Sequence, residues 1–195
     1  MKNTILLCIV LAVFTACSSD PDLPKPRGYP RVVYPTRAYQ PFRDAYCGFT
    51  FEYPQYAKIL KDSLFFEEKT ANQCWFNLYY PDFDATVHCS YYPITSRKLF
   101  DKFTNDAYTL AGKHNVKADY INEINIKNPN NVVGIVFDLS GPAASPFQFY
   151  LTDSTQNFLR GALYFNTQVR PDSLAPVLDF LKTDIMRMVE TFKWQ

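Results

Sequence analysis

The sequence predicts an α+β domain, with a mostly antiparallel sheet of about six or seven strands covered by two helices. Three observations lead there. Short alternating runs of aromatic and aliphatic residues recur between residues 49 and 165, punctuated by turn-forming residues. The links between successive runs are too short for crossover helices, so neighbouring strands run antiparallel. Only two stretches carry a helical apolar stripe, near residues 96–113 and 173–191.

The elements follow in order. Phe49, Phe51 and Tyr53 alternate with Thr50 and Glu52 before Pro54, a first strand. Trp75 to Tyr80 is a second, stopped by the turn signal Pro81-Asp82. Residues 85–92 form a third, with Ala85, Val87, Cys89 and Tyr91 on its buried face. Thr95 or Ser96 caps a helix to about Lys113, whose inner face is Leu99, Phe103, Ala107, Leu110 and Ala111. Four more strands end at Ile126 or centre on 133–139, 147–151 and 158–165. The last helix runs from about Ser173 to Thr191, with Asp172 as its expected cap and Pro176 in its first turn. The predicted order is β-β-β-α-β-β-β-β-α, with no internal repeat.

The N-terminus reads as an export signal. Lys2 precedes an apolar run from Ile5 to Phe14, which ends in Thr15-Ala16-Cys17. That run is too short to span a bilayer, which takes roughly 20 residues. The quartet Phe14-Thr15-Ala16-Cys17 resembles a bacterial lipobox, with Phe14 where Leu is usual. Residues 1–16 are therefore a lipoprotein-type signal peptide, and Cys17 is the expected lipidation site. A diacylglycerol and a further chain such as palmitate would anchor it stably, since each buried methylene adds about 0.8 kcal/mol. Residues 17–41 hold six prolines and read as an anchor and extended tether, whose later half (Val32, Val33, Tyr34, Tyr39) can lie against the domain. Residues 42–195 are the single folded domain.

Removing residues 1–16 from 195 leaves 179, enough for a core. Lys2 is the only charge lost, so 19 basic residues face 19 acidic ones. No nucleic-acid partner is expected from that balance. Of five cysteines, Cys47, Cys74 and Cys89 remain in the domain. An oxidising compartment permits one bridge. The expected pair is Cys47–Cys74, each beginning an apolar run, with other pairings or three free thiols as alternatives.

The chemistry-bearing residues are sparse. There are two histidines, His88 on a solvent-facing strand position and His114 after a helix end, and no metal spacing. No phosphate loop or nucleophile elbow occurs among six glycines. Neither an enzyme nor a cofactor is expected. The polar run Thr152-Asp153-Ser154-Thr155-Gln156-Asn157 reads either as a hairpin closed by Asx and Ser/Thr turns or as a partner-docking loop. Arg160 alternates with Phe158, Ala162 and Tyr164. It either points inward, with Asp153 as its expected carboxylate partner, or lies exposed on the outer face. Thr152, Asp153, Ser154, Asn157 and Arg160 are the candidate docking residues.

Longer motifs carry a resemblance. Pro24-Lys25-Pro26-Arg27-Gly28-Tyr29, Cys47-Gly48-Phe49-Thr50-Phe51-Glu52-Tyr53-Pro54 and Cys74-Trp75-Phe76-Asn77-Leu78 look like the gliding-motility lipoprotein family GldD of Bacteroidetes. So do Lys113-His114, the run from Ser145 to Ser154, and Phe158-Leu159-Arg160-Gly161-Ala162-Leu163-Tyr164-Phe165. Gly48 stands where the family would have Pro, and Cys89 where it would have an aliphatic residue. The resemblance implies a non-catalytic accessory lipoprotein of the gliding and type IX secretion apparatus. Its partners would be membrane lipid through Cys17 and other envelope proteins, with the domain facing the periplasm. The strand order also resembles the PsbP and Mog1 type of sandwich. The alternative is a periplasmic small-molecule binder or enzyme with an aromatic pocket.

Overall fold

A computed structural model describes residues 31–44, 46–61, 64–65, 68–69, 73–113, 118–167 and 170–195. Cys17, the lipobox, most of the expected tether and His114 lie outside those residues. The strands are β1 (Tyr39–Asp44), β2 (Phe49–Pro54), β3 (Lys58–Lys61), β4 (Leu64–Phe65), β5 (Glu68–Lys69) and β6 (Phe76–Tyr80). A 3-10 turn over Pro81–Phe83 leads to β7 (Ala85–Pro93) and then helix α1 (Arg97–Gly112). After it come β8 (Tyr120–Lys127), β9 (Val133–Ser140), β10 (Phe147–Thr152), β11 (Asn157–Phe165), helix α2 (Pro171–Thr191) and β12 (Lys193–Trp194).

Seven strands form one antiparallel sheet in the order β3-β6-β7-β11-β10-β9-β8. The α+β class and the two covering helices are as the alternation predicts. The strand at 49–53 does not join that sheet. It is the centre of a separate three-stranded sheet, β1-β2-β12. β1 and β12 escape sequence reading because Pro41 interrupts one and the other is two residues long.

The pleat of the large sheet sorts its side chains into two cores. On one face Leu78, Val87, Cys89, Phe149, Leu151, Leu159 and Leu163 meet α2 and the small sheet. On the other, Tyr150, Phe158, Phe137 and Leu139 meet α1 through Ala107 and Ala111. The pattern of α2 explains its place: Val177, Leu181, Ile185, Met188 and Val189 are all buried.

The helix ends are set differently from one another. Ser96 caps α1, accepting from the backbone N–H of Leu99 at 3.3 Å. Asp172 is not the cap of α2. The helix starts two residues earlier than its stripe suggests, because Pro171 at the first position has no N–H to satisfy, and Arg170 precedes it without a side-chain cap. Asp172 sits instead in the first turn, and Pro176 lies inside the helix beyond it. At the other end, buried Asn128 donates its amide to the carbonyls of Val189 (3.1 Å) and Phe192 (2.7 Å), so the β8–β9 turn closes α2.

Val32–Gln195 make one compact unit, so the later half of the expected tether packs with the domain. Val32 packs on the core, Tyr34 meets Phe180 at 4.8 Å between ring centroids, and Tyr39 opens β1. The physical reason lies on α2, in Asp184.

Candidate functional site

The hairpin between β10 and β11 is closed by its own side chains. Asp153 Oδ1 accepts from the backbone N–H of Thr155 (2.9 Å), Gln156 (2.8 Å) and Asn157 (2.9 Å). Its Oδ2 accepts from the Asn157 amide at 2.6 Å. Thr152 donates its hydroxyl to the Asn157 carbonyl (2.6 Å) and accepts from Ser154 N–H (2.9 Å), which suits the left-handed Ser154 at φ +65°. Partial burial disfavours the charged Asp153, but the backbone donors and Asn157 outweigh it and hold its pKa below the ordinary carboxylate value. Tyr91 adds a bond from its hydroxyl to Asn157 at 2.6 Å.

Arg160 is not the partner of Asp153. In the β10–β11 register Arg160 lies opposite Tyr150, and its Nη2 donates at 2.6 Å to Gln148, two residues farther from the turn. The guanidinium therefore leans away from the loop whose carboxylate is already saturated by backbone N–H groups. Gln148 is 1 % exposed, and its own amide donates toward the Ser145 carbonyl at 3.4 Å, which fixes its oxygen on Arg160. Burial presses the Arg160 pKa below its ordinary value, and no carboxylate among the described residues forms an ion pair with it. Thr152, Asp153, Ser154 and Asn157 thus make one unit, and Arg160 belongs to another.

That second unit is a cleft of about 440 Å³ between α1 and the sheet. Tyr92, Phe103 and Phe158 give it an aromatic floor, with Tyr92 and Phe103 stacked at 4.9 Å and Phe103 against Phe158 at 5.7 Å. Arg160, Lys102 and Lys113 line it, against a single acidic residue, Asp106. Sequence reading marked Arg160 among its aromatics. It missed Lys102 and Lys113, because only the docking of α1 brings the helix's outer edge beside β11.

Asp184 was not singled out from the sequence. It is fully buried on α2 and accepts from the hydroxyls of Tyr39 (2.9 Å) and Tyr56 (2.5 Å) and from Arg37 Nε (3.3 Å). Arg37 stacks 4.1 Å over Phe180 and also donates to its carbonyl. Burial raises the Asp184 pKa, while the two tyrosines and Arg37 oppose that shift. The same burial, with the neighbouring carboxylate, pushes Tyr39 up to about 12. The available signal was positional: Asp184 falls seven residues after Val177 and three after Leu181, on the apolar stripe.

The disulfide expected from the sequence is present. Cys47 and Cys74 are bonded, with Cα atoms 5.4 Å apart, and Cys89 is free and buried between β6 and β11. His88 is exposed, its Nδ1 2.7 Å from Asn77 Oδ1. No helix among the described residues is long and apolar enough to cross a membrane.

Among solved structures, cyanobacterial PsbP (CyanoP) from Synechocystis sp. PCC 6803 is similar at 12 % identity, with a TM-score of 0.47 over 83 % of this chain and 95 % of that one. No curated protein matches the chain. A family profile described as gliding motility lipoprotein GldD matches residues 19–194, from just after Cys17 through β12. The chain belongs to the gliding motility lipoprotein GldD family.

Proposed function

We propose that this chain is a non-catalytic, lipid-anchored docking module of the gliding motility and type IX secretion apparatus. In this reading Cys17 holds the membrane, the domain faces the periplasm, and the β10–β11 end of the sheet holds a partner protein. The observation that carries it is Arg160: a half-buried guanidinium, oriented by buried Gln148 and paired with no carboxylate among the described residues, beside an aromatic floor. Arginine and aromatics together are favoured where a few residues supply most of the binding energy. The polar turn beside it is satisfied internally, so it offers shape and rim contacts rather than reactive groups.

The test is crosslinking and affinity recovery of the lipid-anchored chain from its own membranes. Thr155→Arg is the probing substitution. Thr155 is exposed, and only its backbone N–H serves the turn. The variant is expected to keep its melting temperature while losing partner recovery and the secretion or motility phenotype. A stable variant with full recovery would reduce the hairpin to a connection. In parallel, Cys17→Ala is expected to abolish lipid labelling and membrane association. Unchanged lipid incorporation in that variant would refute the anchor.

A further inference from the structure

The cleft under α1 has a charge pattern that the docking reading does not by itself require. Three cations line it against one carboxylate, and they come from two elements and a helix end. Lys102 on α1 and Lys113 at its C-cap are eleven residues apart, which at 1.5 Å per residue places them about 16 Å apart along the helix axis. Arg160 comes from β11 on the opposite wall. A single phosphate or small carboxylate is much shorter than that spacing. An extended chain covers roughly 3.3 Å per residue, so about five residues bridge the two lysines.

The floor adds a second requirement. Tyr92 and Phe103 are only partly buried, while Phe158 beneath them is 1 % exposed. An occupant that presented carboxylates alone would leave the aromatic faces wet. One that alternates acidic and apolar side chains satisfies both. Arg160 is the fixed point: its hydrogen bond to buried Gln148 holds the guanidinium in place before anything binds, so little side-chain freedom is lost on pairing. A carboxylate arriving there would meet a partly desolvated fork, where a charge-assisted pair is stronger than at an open surface.

We infer that the cleft formed by Tyr92, Phe103, Phe158, Arg160, Lys102 and Lys113 receives an extended acidic segment of the partner protein, with spaced carboxylates on the three cations and an apolar side chain on the aromatic floor. This rests on the docking reading and specifies the chemistry of its partner. Steering by the two exposed lysines makes association salt-sensitive, and the pair at Arg160 sets dissociation.

The experiment uses the detergent-solubilised full chain and a fluorescein-labelled nine-residue peptide with three Glu and two Phe, followed by anisotropy. Its controls are the same peptide with Gln for Glu, free glutamate and inorganic phosphate. The Glu peptide is expected to bind at least about tenfold more tightly than the Gln peptide, and to weaken steeply between about 50 and 300 mM salt. Free glutamate and phosphate are expected to compete only in large molar excess. Arg160→Gln is expected to weaken binding about tenfold or more, with Arg160→Lys giving only incomplete recovery. If Arg160→Gln fails to fold, the exposed double variant Lys102→Glu/Lys113→Glu carries the test, and is expected to reverse the preference toward the Gln peptide. Equal affinity for both peptides, no binding of the Glu peptide, or full competition by phosphate at the peptide's own concentration overturns the inference. The two readings separate in the membrane assay. Loss of partner recovery in Thr155→Arg with full recovery in Lys102→Glu/Lys113→Glu would keep the docking module and discard the acidic segment.

Discussion

Asp153 and Asp184 are both held by several hydrogen bonds, yet they answer to pH in opposite senses. Asp153 has its pKa lowered, because the donors of the turn outweigh the effect of partial burial. Its stabilisation is present above the ordinary carboxylate value of about 3.9 and is lost as pH falls through its folded pKa. Asp184 has its pKa raised by burial despite Tyr56, Tyr39 and Arg37. Its contribution is full below the ordinary value and is lost as pH rises through the folded one. Urea denaturation from pH 3 to 7 separates them. Asp153→Asn is expected to cost about 1 kcal/mol near pH 7, after allowance for its exposure, and less as pH falls below the ordinary carboxylate value. The wild type's advantage over Asp184→Asn is expected to be largest at acid pH and to shrink toward neutrality. The same slope in both variants would contradict the assignment. The sequence showed Asp153 plainly, because an Asx turn is written in adjacent residues. Asp184 pairs with residues more than a hundred positions away, which no local pattern records.

At the scale of elements, β11 is the strand on which the fold and the candidate site both depend. It pairs with β7 on one side and β10 on the other, and its faces feed both cores. Its Gly161 lies opposite Phe149, whose ring occupies the space of a side chain: a Cβ there would stand 2.2 Å from the ring. Gly161→Ala is therefore expected to destabilise by about 1–3 kcal/mol through overpacking, read as a shift of the urea midpoint at unchanged slope. A neutral result would mean that Phe149 moves freely. The alternation of β9, β10 and β11 and the stripe of α2 were legible because each has one buried face with a fixed period. β1, β3 and β12 were not, since their pairing comes from neighbours rather than from any pattern in so few residues. The cleft was half legible for the same reason. Phe158 and Arg160 announce themselves on a strand, whereas the lysines of α1 look like any solvated helix edge until the helix is seated.

For the whole molecule, the Cys47–Cys74 bridge ties the turn before β2 to the segment before β6, and so joins the small sheet to the large one. Closing a span of 27 residues is worth about 3–4 kcal/mol in the chain-entropy account. Reduction is expected to lower the melting temperature accordingly. In the native oxidised protein, thiol labelling is expected to reach the domain only after denaturation, at Cys89, whose pKa burial drives upward. Labelling of Cys47 or Cys74 without reductant would contradict the bridge. The clasp at Asp184 has a mechanical meaning as well. With Cys17 as the anchor, tension travelling along the chain toward the domain meets Arg37, stacked on Phe180 and bonded to Asp184, before it reaches the first ladder rung at Tyr39 and Pro54. Antiparallel rungs loaded from one end break in succession, and a six-residue strand at the margin of a small sheet would peel easily. The clasp diverts that load into the middle of α2, whose whole buried face must move before it yields. For the docking module proposed above, the clasp would brace the domain at the point where the pull enters.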